Sequence, residues 1–90
     1  MPERRLTLVN DLGLHARAAA QLVKTAATFD SRVVVRRADR GVEADALSIL
    51  DILYLAAGCG KEVVITATGN DADAALDAIE QLFVNGFGEK

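Results

Sequence analysis

The sequence predicts an α+β fold, a four-stranded, mainly antiparallel sheet covered on one side by three helices. Three patterns point to it. Short alternations of apolar and polar residues, as in Arg32 to Arg37, call for a sheet with one wet face. Stretches with apolar residues three and four apart, as in Ala16 to Phe29, call for helices that bury a single stripe. The order β-α-β-β-α-β-α then packs most economically as two layers around one core.

Taken in order, Arg5 to Val9 reads as a strand with Leu6 and Leu8 on one face. Ala16 to Phe29 reads as a helix whose inner stripe is Ala19, Leu22, Val23, Ala26 and Phe29. In Arg32 to Arg37, Val33 and Val35 alternate with Arg32, Val34 and Arg36. In Val42 to Ala46, Glu43 and Asp45 alternate outward, so the two segments form a hairpin across Ala38-Asp39-Arg40-Gly41. Ser48 to Ala57 is a short helix ended by Gly58, and Glu62 to Thr68 is the last strand. Asp71 is a candidate N-cap for a final helix to Val84, closed by Gly86. Its stripe is Ala72, Ala75, Leu76, Ile79, Leu82 and Phe83, with Asp73, Asp77 and Glu80 outside.

Composition narrows the function. Ninety residues of which 51% are hydrophobic suffice for one small domain, residues 1–90, with a core that needs no disulfide or metal staple. Cys59 is the single cysteine, and no cluster of Cys, His, Asp or Glu has the spacing of a structural metal site; no metal and no cofactor are expected. No apolar segment follows Met1-Pro2-Glu3-Arg4-Arg5, and no run approaches bilayer length, which points to a cytoplasmic protein without membrane insertion. A net charge of −3 with 4% aromatic residues argues against a nucleic-acid partner. The basic residues Arg36, Arg37 and Arg40 are interleaved with Asp39 and followed by Glu43 and Asp45, and read as a solvated hairpin.

The one histidine is the sharpest functional signal. His15 sits in Gly13-Leu14-His15-Ala16-Arg17-Ala18-Ala19-Ala20, where a glycine turn opens into strong helix formers. The first turn of a helix has N–H groups without intrahelical partners and carries partial positive charge, so it attracts anions. Arg17 adds a guanidinium suited to clamping a phosphate or carboxylate. A neutral imidazole in that cradle has a nucleophilic nitrogen that can accept a phosphoryl group. The plainer alternative is a histidine that merely flanks the helix.

Leu12-Gly13-Leu14-His15-Ala16-Arg17 with Ala19-Ala20 resembles the active-site signature of HPr, the histidine-containing phosphocarrier family of the bacterial phosphoenolpyruvate-dependent phosphotransferase system. Ala46-Leu47-Ser48-Ile49-Leu50 with Leu55-Ala56-Ala57-Gly58 resembles that family's regulatory-serine region. Val63-Val64-Ile65-Thr66-Ala67-Thr68-Gly69-Asn70-Asp71 with Ala75-Leu76 resembles its last strand and helix start. The resemblance implies an open-faced β-sandwich; element order alone also permits a ferredoxin-like regulatory domain. It implies a carrier rather than an enzyme, phosphorylated on Nδ1 of His15 by phospho-enzyme I, with Arg17 stabilising the phosphoryl group, and donating it to an EIIA-type acceptor. It further implies regulation at Ser48 by an ATP-dependent HPr kinase/phosphorylase. A monomer with transient interfaces meets these demands.

Ser48, with Asp51 three residues on, also reads as a capping box, a role compatible with phosphorylation. The following helix holds more apolar residues than one stripe buries, so Ile49, Leu50 and Leu53 are candidates for the family's partner-docking patch. Lys24 is a candidate for meeting acidic partner surfaces, against the plainer reading of a solvated lysine. Two departures from the family stand out: Ala18 occupies a position that is normally proline, and the turn Ala38-Asp39-Arg40-Gly41 is longer than usual, which leaves its register open. Two other functions compete: an adaptor signalling mainly through Ser48, and a small-molecule sensor that holds an anion at the helix start without covalent chemistry.

Overall fold

The computed structural model describes residues 2–55 and 57–88. Its strands are β1 (Glu3–Thr7), β2 (Arg32–Arg37), β3 (Glu43–Asp45) and β4 (Glu62–Thr68), and its helices are α1 (Ala16–Ala26), α2 (Ile49–Tyr54) and α3 (Ala72–Val84). The sheet order is β1-β4-β2-β3 and every pairing is antiparallel. Fold class and element order match the sequence expectation. The expected helical residue Ala56, and the outer limits at residue 1 and residues 89–90, lie outside the described residues.

Side-chain parity sets the two faces of the sheet. Val33 and Val35 on β2, Ala44 on β3, and Val63, Ile65 and Ala67 on β4 point into one core with Leu22 of α1, Ile52 of α2, and Leu76, Ile79 and Phe83 of α3. Helix α1 packs against both α2 and α3. The opposite face carries Arg5, Glu62, Arg36, Glu43 and Asp45. Val64 is buried there, flanked across its two ladders by Arg5 and Arg36, long side chains whose stems shield apolar neighbours.

Element ends depart from the sequence reading for physical reasons. Strand β1 begins earlier than Arg5, because Glu3 and Arg4 pair with Thr66 and Ile65. The Arg4 guanidinium reaches Asp77 at 2.8 Å and Glu80 at 2.6 Å on α3. Leu8 lies past the ladder yet exchanges backbone hydrogen bonds with Gly60 and Lys61 and is fully buried. Helix α1 stops at Ala26 rather than Phe29, where the Thr28 hydroxyl donates to the Thr25 carbonyl at 2.7 Å. Strand β3 is one residue shorter at each end than Val42 to Ala46, although Ala46 N–H still donates to Val33 C=O at 3.0 Å. The hairpin register is Val34↔Asp45, Val35↔Ala44 and Arg36↔Glu43.

Two local expectations need correction. Asp71 stands at the N-cap position of α3 without making a side-chain cap bond. Its carboxylate instead accepts from the N–H groups of Asp30 and Ser31, both at 2.8 Å, and from the Ser31 hydroxyl, pinning the α1–β2 turn to the start of α3. Arg37 is not part of a solvated hairpin: it shares the inner face with Val33 and Val35 and is buried. After α3, Gly86 takes a left-handed φ of 60°, the conformation that closes a helix end. Phe87 then folds back edge-on to Phe83, with ring centroids 5.0 Å apart.

Candidate functional site

The turn before α1 brings the site together. Gly13 adopts φ +61°, which L side chains disfavour, and a Cβ there would lie 2.3 Å from the Ala57 carbonyl oxygen. Its N–H donates to Asn10 C=O at 3.1 Å, while the Asn10 side-chain amide donates to Gly13 C=O at 2.8 Å. Leu14 is buried, and its N–H donates to Ala57 C=O at 2.9 Å. The loop that carries His15 therefore rests on the connection between α2 and β4.

His15 is the N-cap of α1. Its backbone is extended, with φ −78° and ψ −178°, and its side chain makes no capping bond to its own helix. The first helical bond runs from Ala19 N–H to His15 C=O at 2.8 Å, so the N–H groups of Ala16, Arg17 and Ala18 precede the ladder. His15 is half-buried and Arg17 exposed, and both line a depression of about 340 Å3 with Asp11 and Leu12. A half-buried imidazole, a flexible guanidinium and a helix N-terminus around one opening can receive a doubly charged, tetrahedral anion. Ala18 is fully buried in the first turn of an intact helix, so the missing proline does not disrupt α1.

The depression thus unites His15 and Arg17 with Leu12, which the sequence reading held only as part of the signature run, and adds Asp11, which it passed over. Asp11 and Leu12 belong to the turn itself, and their place between Asn10 and Gly13 was the available signal. Lys24 is exposed in the last turn of α1, roughly 13 Å along the helix axis from His15, and is not part of the depression. Ser48 is the N-cap of α2, half-buried, with its hydroxyl accepting from Asp51 N–H at 3.3 Å. The reciprocal half of a capping box is replaced, since the Ser48 N–H donates to Asp45 C=O at 3.0 Å.

On α2 the apolar surplus is real. Leu50 is 74% exposed and Ile49 39%, whereas Leu53 packs partly against the core. Leu47 and Tyr54, which the sequence reading left out of the patch, are also largely exposed. Among the described residues no group of three or more His, Cys, Asp or Glu is placed to hold a metal ion, and no helix is long and apolar enough to cross a membrane.

A family model described as the PTS HPr component phosphorylation site matches residues 2–85. The chain belongs to the HPr family. It is 44% identical over 89 residues to the phosphocarrier protein HPr of Cupriavidus necator, covering 99% of this chain and 98% of that one. It is 46% identical over 77 residues to the phosphocarrier protein NPr of Shewanella violacea, covering 86% and 82%. The crystal structure of HPr from Thermoanaerobacter tengcongensis superposes with a TM-score of 0.92 at 36% identity, covering 100% of this chain and 99% of that one. HPr-family proteins are phosphocarriers of the phosphotransferase system, carriers rather than catalysts, and that is the role family membership supports here.

Proposed function

We propose that this HPr-family protein accepts a phosphoryl group on His15 from phospho-enzyme I and passes it to an EIIA-type acceptor. The observation that carries the reading is the depression at the start of α1, where the half-buried imidazole and Arg17 meet the unladdered N–H groups. In the first transfer the lone pair of a His15 ring nitrogen, Nδ1 by family resemblance, attacks phosphorus. The N–P bond forms as the donor's bond to phosphorus breaks, and the bonding pair returns to the donor. The helix N-terminus and Arg17 stabilise the phosphoryl oxygens throughout. The second transfer reverses these roles, with His15 as leaving group. One domain over residues 1–90, acting as a cytoplasmic monomer, suffices for both.

The test is incubation with phosphoenolpyruvate and cognate enzyme I, followed by intact mass and acid treatment. A single acid-labile phosphoryl group, absent in His15→Ala, is expected. Failure of the folded wild type to take one up refutes the carrier reading, and an anion held at the same depression without covalent capture would then favour a sensor.

A second role is favoured by Ser48, whose hydroxyl is half-buried at a helix start and held by one long hydrogen bond. Transfer of the γ-phosphoryl group of ATP to Oγ, with loss of the hydroxyl proton and release of ADP, would place negative charge at that helix end, where it is tolerated. Acid-stable phosphate formed by an HPr kinase/phosphorylase, and lost in Ser48→Ala, is the expected result. Leu50 and Ile49, beside Ser48, then serve as partner contacts, with Leu53 and Lys24 contributing less by virtue of their placement.

A further inference from the structure

We propose that Arg37, together with Asp39, is a positioning residue for the His15 loop, acting through the connection between α2 and β4. The proposal rests on the reading of His15 as phosphoryl acceptor. Arg37 is only 4% exposed, on the inner face at the end of β2. Its Nη1 donates to the Leu55 carbonyl at 2.9 Å, while Nε and Nη2 hold the two Asp39 carboxylate oxygens at 2.9 and 2.8 Å. Asp39 in turn lies 3.7 Å from the Lys61 ammonium. The hairpin therefore grips the α2–β4 connection at both ends, at Leu55 and at Lys61.

What lies between those ends is the seat of the site. Ala57 C=O accepts the Leu14 N–H, one residue before His15, and is also the wall against which Gly13 packs without room for a Cβ. Gly60 N–H donates to Leu8 C=O at 2.8 Å, tying the same connection to the chain that enters the site turn. An exposed Arg–Asp pair two residues apart would close the hairpin equally well, and such pairs contribute little. Burying the guanidinium carries a desolvation cost, and what burial adds here is the bond to Leu55, the C-cap of α2, where a cation complements the helix end. The side chain thus ties its own turn, through Asp39, to the connection, through Leu55.

Two measurements test this on Arg37→Gln, Arg37→Lys and Asp39→Asn, with Arg4→Gln as a control that removes the ion pairs to Asp77 and Glu80 of α3. In the first, amide exchange is followed by NMR on unphosphorylated protein. Arg37→Gln is expected to raise exchange at Leu14 about tenfold more than at Ile65 in β4, with Arg37→Lys intermediate and Arg4→Gln showing no such bias. In the second, phosphoryl uptake from phospho-enzyme I is expected to lose kcat severalfold with KM unchanged, since docking residues are untouched while the imidazole is less well aimed. Equal increases at Leu14 and Ile65 overturn the proposal, as does selective loss at Leu14 with unaltered kcat. If Arg37→Gln fails to fold, the lysine and Asp39→Asn variants decide by the same comparison. A wild type that takes no phosphoryl group refutes the acceptor reading alone, because the exchange measurement still judges whether Arg37 holds the loop.

Discussion

Replacing Gly13 with alanine separates two costs that the structure places on one residue. The first is conformational: φ is +61°, and a Cβ in the left-handed region costs about 1–2 kcal/mol. The second is steric, because the new Cβ would fall 2.3 Å from the Ala57 oxygen and 2.6 Å from the Gly58 Cα, both backbone atoms that yield only by moving the connection. Overpacking of that kind costs about 1–3 kcal/mol, and the stiffer unfolded chain returns about 0.4–1 kcal/mol. The net expectation is a loss of about 3 kcal/mol. Gly41 supplies the control: its φ is +68°, with nothing within 4 Å of an added Cβ. Gly41→Ala should therefore lose only about 1 kcal/mol. Urea unfolding of the two variants, with m-values compared to confirm a common unfolded state, reads both numbers. Because Gly13 lies two residues before His15, Gly13→Ala should also slow phosphoryl uptake at saturating donor, whereas Gly41→Ala should not. Equal stability losses in the two variants would refute the steric account of the site turn.

Asp71 makes stability depend on acid. The Ser31 hydroxyl, then the backbone N–H groups of Asp30 and Ser31, hold its carboxyl below the usual carboxylate range. A depressed folded value means that the stabilisation is present above the unfolded value and is lost as pH falls through the folded one. Urea midpoints should accordingly decline below about pH 4. Asp71→Asn should be less stable at pH 7 and decline less steeply, the remaining slope belonging to carboxylates such as Asp39 and Glu62, which Arg37 and Arg5 also hold low. Parallel curves for the two proteins would remove Asp71 from the acid response. On α2, Leu50→Glu should leave stability within about 0.5 kcal/mol, as an exposed site allows, while raising KM for enzyme I or the EIIA-type acceptor. An unchanged KM with both partners would take Leu50 out of the docking surface.

Local patterns carried most of the fold and part of the site. Strands at 32–37 and 62–68 were legible because alternation is a property of adjacent residues, and His15 with Arg17 because a helix start needs only a few neighbours to declare itself. The Asp71 clamp was not legible: its partners Asp30 and Ser31 lie some forty positions away, and the same residue satisfies every local criterion for an ordinary cap. Arg37 is the more instructive miss. Charge density around Arg36, Asp39 and Arg40 suggested a wet hairpin, yet the two-residue period of β2 already placed Arg37 on the face of Val33 and Val35. Composition and parity disagreed, and parity was right. A cation on the core parity of a strand cannot stay there without partners, so it implies an acid nearby and a carbonyl or second anion within reach. Asp39 supplied the first in sequence. The Leu55 carbonyl supplied the second only through folding, and through Ala57 that bond leads to the residue beside His15. The turn Ala38-Asp39-Arg40-Gly41, whose register the sequence left open, thus supports the connection on which the site is seated.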